Sequence, residues 1–188
     1  MKKRFETQSK GFSLVELVTT LAVIAILATV ALPAMQGFII RSRLVGINNE
    51  LLSALNLARS EAIKRGMNVT LCKSNNGSGC GGDWSDGWIV FADSGTIGDA
   101  TGDTLIRVNQ ALPQNYTLAA TGNFTNYVSY RRDGSANNIG TFVVCHNSDE
   151  TTARGVTLTR LRPRVARDTN SDGIPNTDSG NITSCEAP

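Results

Sequence analysis

Histidine is almost missing from this chain: His146 is the single one in 188 residues. One imidazole cannot build a Ser–His relay or a histidine-rich metal centre, so the chain is read as a protein without enzymatic activity and without a cofactor. Aromatic residues are scarce, at 6%, and charged residues make up an ordinary 18%. A strong charge of one sign is lacking as well. The formal net charge is +2, and the first eleven residues alone contribute +3 through Lys2, Lys3, Arg4, Lys10 and Glu6, leaving −1 for the remainder. Global charge therefore gives no argument for nucleic-acid binding, which must rest on a local patch. The glycine-rich stretch 77–82 has no following Lys-Ser/Thr pair, so it is a turn and not a phosphate loop. No internal repeat is evident.

What is present begins at the N-terminus. Lys10-Gly11-Phe12-Ser13-Leu14-Val15-Glu16-Leu17 opens an otherwise apolar run that reaches Met35. The run is long enough to cross a bilayer as one helix, which takes about 20 residues. Glu16 is out of place in hydrocarbon, where a carboxylate costs roughly 2.5–3.5 kcal/mol on insertion scales and needs a partner. Cleavage after Gly11 would create one, because the new amine on Phe12 lies one helical turn from the acid. That amine would pair with the Glu16 of a neighbouring copy, making the segment both an anchor and a polymerisation device. A secretory signal places its cleavage site after the apolar core, whereas here the candidate site precedes it. The basic leader stays cytoplasmic under the positive-inside rule. The chain then divides into a leader over 1–11, a membrane or filament-core helix over 12–35, an amphipathic helical half over 36–66 and a β domain over 67–188.

Leu44, Ile47, Leu51, Leu55, Ala58 and Ala62 recur at steps of three and four, the pattern of a helix with one buried face. This helix ends at Gly66, after Lys64 and Arg65 have complemented its dipole. From about Ser13 to Arg65 it would be near 80 Å long at ~1.5 Å per residue. Pro33 and Gly37 predict a kink, or local melting within a filament. Beyond Gly66, short β-like runs alternate with turn residues: 68–72, 88–92, 104–108, 116–119, 127–131, 141–145 and 155–159. A long helix followed by antiparallel strands is an α+β arrangement. Four cysteines, all beyond the apolar run, allow three disulfide pairings. Cys72 with Cys80 closes a short glycine-rich loop, and Cys145 with Cys185 pins the C-terminal tail to a strand. This pairing is favoured because it closes two separate structural units. Zinc is disfavoured by the irregular spacings and the lone His146.

The N-terminal pattern of basic leader, Gly11, aromatic Phe12 and Glu16 five residues into the mature chain resembles the signal of type IV prepilins and pseudopilins. Pro33 falls where such pilins commonly carry a proline. Further on, Leu55-Asn56-Leu57-Ala58-Arg59-Ser60-Glu61-Ala62-Ile63-Lys64-Arg65-Gly66, then Val69-Thr70-Leu71-Cys72, resembles the GspH/FimT family of minor pilins and pseudopilins. So do Trp88-Ile89-Val90-Phe91 with its Asp/Gly loop, and the strand Thr141-Phe142-Val143-Val144-Cys145. The resemblance implies a type IV pilin-like fold, cleavage between Gly11 and Phe12 by a prepilin peptidase that also N-methylates Phe12, and residence in the inner membrane as a single pass before assembly. It further implies partnership with other minor and major pilins, in a pilus, where such subunits prime assembly at or near the tip, or in the pseudopilus of a type II secretion system.

Arg154, Arg160, Arg162, Arg164 and Arg167 crowd a segment with no acidic residue. Guanidinium forks bind phosphate oxygens bidentately, so such a row is suited to track a nucleic-acid backbone without reading sequence. In an unbroken strand, residues at spacing two share a face. Arg160, Arg162 and Arg164 would then point inward with Val156 and Leu158. Pro163 argues for a loop or an edge, and an exposed, irregular arginine loop is expected. In the FimT branch of the family, a Gly-Arg-x-Arg motif near the C-terminus is implicated in capturing double-stranded DNA for natural transformation. Leu161-Arg162-Pro163-Arg164 resembles it, with leucine in place of glycine. Finally, Asp168, Asn170 and Asp172, followed by Gly173, match the first half of an EF-hand-like calcium loop. Ser179 stands where that loop requires a bidentate Glu, which makes the match a weak calcium candidate.

Overall fold

The structure is a computed structural model, and it describes residues 11–122, 124, 126–172, 174–177, 180–182 and 184–185. A single helix, α1, runs over Leu14–Arg65 with Pro33 inside it. The helix is continuous through both Pro33 and Gly37. The chain separates into two compact units, Met1–Ile40 and Arg41–Pro188.

The described part of the first unit is the apolar portion of α1. Every large apolar side chain there, from Phe12 to Ile39, is exposed. Exposed apolar surface of this length and continuity has the composition of a membrane span. Thr19, Thr20 and Thr29 return their hydroxyls to the backbone carbonyls of Glu16, Leu17 and Ile26, so these polar groups are satisfied within the helix.

In the second unit α1 becomes one-sided. Leu44, Ile47, Leu51, Ala54, Leu55, Ala58 and Ala62 are buried along one stripe. The chain then forms β1 (Asn68–Lys73), β2 (Trp88–Asp93), β3 (Thr104–Asn109), β4 (Tyr116–Gly122) and β5 (Tyr127–Tyr130). After these come β6 (Gly140–His146), β7 (Asp149–Leu158), β8 (Pro163–Val165), β9 (Asn176–Thr177) and β10 (Gly180–Asn181). Two four-stranded antiparallel sheets result, ordered β3-β2-β1-β5 and β4-β6-β7-β8, with β9 and β10 as a small hairpin. This is the expected α+β arrangement, one long helix followed by antiparallel sheets.

Register identifies the helix-facing side of the first sheet. Arg107 is paired with Val90 and donates to Ser53 Oγ on α1 at 3.1 Å. Val90 and its face-mates Trp88, Val69, Leu71, Val128 and Tyr130 are buried. From the β5–β6 connection, the Gly134 carbonyl accepts from Arg59 Nε at 3.0 Å. The opposite face carries Ile89, Phe91, Cys72 and Tyr127 and is covered by Ala100 of the β2–β3 loop. In the second sheet, Phe142 packs edge-on against Trp84 and tilted against Phe124, each at 4.8 Å between ring centroids. The other face of that sheet, Val143 and Cys145 with Ala153, is covered by the C-terminal segment through Ile182 and Cys185.

Both disulfides are formed, Cys72–Cys80 and Cys145–Cys185. The first closes the glycine-rich loop after β1. The second ties the chain end to β6. Gly87 is required where β2 begins: it has φ +119°, and a Cβ there would lie 2.4 Å from the Asn109 carbonyl.

Candidate functional site

The arginine segment departs from the irregular loop expected of it. β7 ends at Leu158, a turn spans 159–162, and β8 returns antiparallel with Leu158 opposite Pro163, Thr157 opposite Arg164 and Val156 opposite Val165. The turn is closed by Thr159, whose backbone N–H and hydroxyl both donate to the Arg162 carbonyl. Reversal of the chain resolves the facing problem. Arg160 and Arg162 sit on the turn, and Arg164 falls beside Thr157 rather than beside Val156. Pro163 is tolerated because β8 is the edge strand, where a missing N–H breaks no inner ladder.

Arg160, Arg162, Arg164 and Arg167 are all exposed. Three of them, Arg162, Arg164 and Arg167, line one open groove of about 630 Å³. Its polar floor comes from Thr157 on β7 and from Thr169, Asn176 and Thr177 on the returning tail. Arg160 stands outside the groove on the turn, where its carbonyl accepts from Ala136 N–H. Arg154 is half-buried and spends its guanidinium on the Thr152 and Ala153 carbonyls. Among the described residues, Arg160, Arg162 and Arg167 form no ion pair; the pairs present join Glu61 to Lys64 and Arg65 on α1.

The tail residues of the groove carry no motif of their own, and sequence reasoning missed them. They arrive because Asn176 bridges back to Arg167, its N–H donating to the Arg167 carbonyl at 2.9 Å, while Cys185 holds the chain end on β6. The disulfide spacing was the one available signal that the tail folds back.

The loop holding Asp168, Asn170 and Asp172 is knotted by its own hydrogen bonds. Asp168 Oδ1 accepts from the N–H groups of Asn170 and Ser171. The Asp172 carboxylate accepts from Asn170 Nδ2, Ile174 N–H and Asn181 Nδ2. These donors, backbone and amide together, hold the Asp172 carboxyl below the usual carboxylate range. Gly173 and Ser179 lie outside the described residues. Among the described residues no three His, Cys, Asp or Glu side chains gather in a metal-binding group.

At the other end, Gly11, Phe12 and Glu16 are exposed on the first turns before and within α1, whereas residues 1–10 of the leader lie outside the described residues.

The relatives of this chain follow both regions. A family model described as type II transport protein GspH matches residues 48–161. A second, the prokaryotic N-terminal methylation motif, matches residues 7–32. No curated protein matches. Among solved structures, the type IV minor pilin FimU of Pseudomonas aeruginosa (strain PAO1) is similar in two crystal forms. In space group P21 it is 17% identical, covering 77% of this chain and 96% of that one, with a TM-score of 0.59. In space group P65 the identity is 20%, the coverage 73% and 96%, and the TM-score 0.50. At such identities the likeness is one of fold. Matched at its methylation signal and over most of its second unit, the chain belongs to the GspH family, as a minor pilin or pseudopilin of the GspH/FimT type.

Proposed function

We propose that this chain is a minor type IV pilin that enters the pilus at or near its tip, and that its arginine groove captures double-stranded DNA for natural transformation. Prepilin peptidase cuts between Gly11 and Phe12 and methylates Phe12. The apolar part of α1 first holds the protein in the inner membrane, with the leader in the cytoplasm, and then joins the helical core of the filament. There Glu16 pairs with the terminal amine of a neighbouring subunit, which removes an otherwise uncompensated charge from an apolar setting. The family and the fold are those of structural filament proteins.

The observation that carries the DNA reading is the clustering of Arg162, Arg164 and Arg167 on one exposed groove. Phosphate contacts of this kind release counterions, so affinity falls steeply with salt. The test is duplex binding by the full chain in detergent across a salt series, beside Arg162→Ala/Arg164→Ala. The double variant is expected to lower the slope of log affinity against log salt by about two, one phosphate contact per arginine. Unchanged binding and slope would sink the DNA role.

A second reading, a minor pseudopilin of type II secretion, is favoured by the description of the matching family model. Deleting the gene separates the two: lost twitching and surface pili mark the pilus, and loss of a secreted enzyme alone marks the pseudopilus.

A further inference from the structure

The β2–β3 hairpin carries two carboxylates at its neck. The register pairs Phe91 with Leu105 and Ala92 with Thr104. Asp93 ends β2 just beyond that pair, and Asp103, which immediately precedes β3, is tied to Ser94, the residue after Asp93, so the two acids flank the neck of the hairpin. Like charges brought together at the end of a strand pair are destabilising. Here nothing in the sequence relieves them, since the stretch 93–106 contains Asp93, Asp99 and Asp103 and no basic residue.

Each of the two carboxylates is half satisfied. Asp93 Oδ2 accepts from the Thr70 hydroxyl at 2.5 Å and from Gly98 N–H at 3.0 Å. Asp103 Oδ1 accepts from Ser94 N–H at 3.1 Å and from the Ser94 hydroxyl at 2.5 Å. The remaining oxygens, Asp93 Oδ1 and Asp103 Oδ2, are buried and find no hydrogen-bond partner among the described residues. Asp93 as a whole is only 3% exposed. Arg131 and Arg132 line the same groove as Asp93, of about 760 Å³, yet neither is within ion-pair distance of it. A buried carboxylate without a counter-charge is among the costliest groups a fold can hold.

We propose that Asp93 Oδ1 and Asp103 Oδ2 are ligands of a calcium ion held at the neck of the β2–β3 hairpin. Calcium takes six to eight oxygens, drawn freely from carboxylates, backbone carbonyls and water. Two carboxylates therefore suffice where a loop folds over them, and residues 94–102 supply that loop. The loop is held in place independently: Gly98, with φ +88°, packs so closely on Tyr127 that a Cβ there would lie 2.6 Å from the ring. The hydrogen bonds from Thr70, Ser94 and Gly98 occupy one oxygen of each acid and leave the other oxygen for the metal. Magnesium, which demands near-ideal octahedral geometry, is the poorer match to so irregular a loop. This site is separate from the Asp168–Asp172 loop, whose Asp172 carboxylate is taken up by amide and backbone donors.

The test is the thermal unfolding of the full chain in detergent, titrated with calcium chloride and, separately, with magnesium chloride. Terbium chloride is used in parallel for luminescence sensitised by Tyr127 beside the loop. At calcium tenfold above its dissociation constant, Tm is expected to rise by about 4 °C, with little response to magnesium. Asp103→Asn is expected to weaken calcium and terbium binding at least tenfold, in the same order as the loss of one anionic ligand. Asp168→Asn/Asp172→Asn is expected to leave both responses intact. The proposal is overturned if the unmodified protein shows neither a calcium-dependent Tm nor terbium luminescence, or if Asp103→Asn responds like the parent. It is also overturned if the Asp168→Asn/Asp172→Asn variant loses the calcium and terbium responses. Asp103 is chosen for substitution because it is less buried than Asp93 and its variant is expected to keep the fold.

Discussion

Tyr130 illustrates how a single buried polar atom is decided by its surroundings. Its ring lies on the helix-facing side of β5, fully buried, and its hydroxyl has no partner among the described residues. Burial pushes its pKa well above the ordinary tyrosine value, with the nearby Arg59 charge opposing weakly. The phenol therefore stays neutral and contributes packing, not hydrogen bonding. Tyr130→Phe keeps the ring and deletes the unpaired oxygen, so stability should be unchanged or higher by up to about 1 kcal/mol. Chemical denaturation of both forms checks this, and a loss above about 1 kcal/mol would reveal a partner for the hydroxyl. The tyrosine was readable as a strand residue from its Tyr-Val-Ser-Tyr setting. Its isolation was not, because that depends on what α1 lays over it.

At the scale of elements, the two disulfides close loops of different length, 8 and 40 residues apart. Chain-entropy reasoning gives roughly 2.5 kcal/mol for the short loop and roughly 4 kcal/mol for the long one. Cys145→Ser/Cys185→Ser should thus destabilise more than Cys72→Ser/Cys80→Ser in denaturant unfolding. The long one has a further consequence, since it holds the tail that floors the arginine groove. Removing it should weaken any ligand of Arg162, Arg164 and Arg167 while leaving β7 and β8 paired. Strand placement was largely legible here: all seven expected runs overlap β1 to β7. β8 was not, because Pro163 argued for a loop and the alternation of Arg160, Arg162 and Arg164 continued the parity of Val156 and Leu158 without signalling a reversal of the chain. Its pairing follows from the turn made by Thr159, a contact between side chain and backbone that no period reports.

For the molecule as a whole, acid sensitivity is set by carboxylates stabilised in the folded state. Arg65 beside Glu61 holds that acid low. Hydroxyl and backbone donors do the same for Asp99 through Thr101, Asp133 through Ser135 and Asp149 through Thr151. A carboxyl whose folded pKa lies below its unfolded one contributes stability that is complete above the unfolded value, about 4, and is lost as pH falls through the folded value. The Tm of the protein should accordingly be flat with respect to these groups above about pH 5 and fall below about pH 4. A Tm that rose on acidification through that window would contradict the assignment. Asp99, Asp133 and Asp149 are exposed, so screening keeps their individual effects small.

Periodicity and composition by themselves determined the largest features of this protein. A membrane-length apolar run with one acid near its start, a helix that turns one-sided at Leu44, and an even set of cysteines beyond the run are all statements about local spacing, and local spacing is what a sequence records directly. The arginine cluster was likewise visible as a run of charge. Only the tertiary structure decided which arginines share a surface, since a four-residue turn reversed the chain between Arg160 and Arg164 and a disulfide returned the tail beneath them. It alone brought Asp93 and Asp103, ten residues apart in the chain, to the same neck of the β2–β3 hairpin, where Ser94 bonds to Asp103. Both outcomes depend on strand pairing and loop closure, which bring together residues whose separation along the chain carries no signal of their meeting.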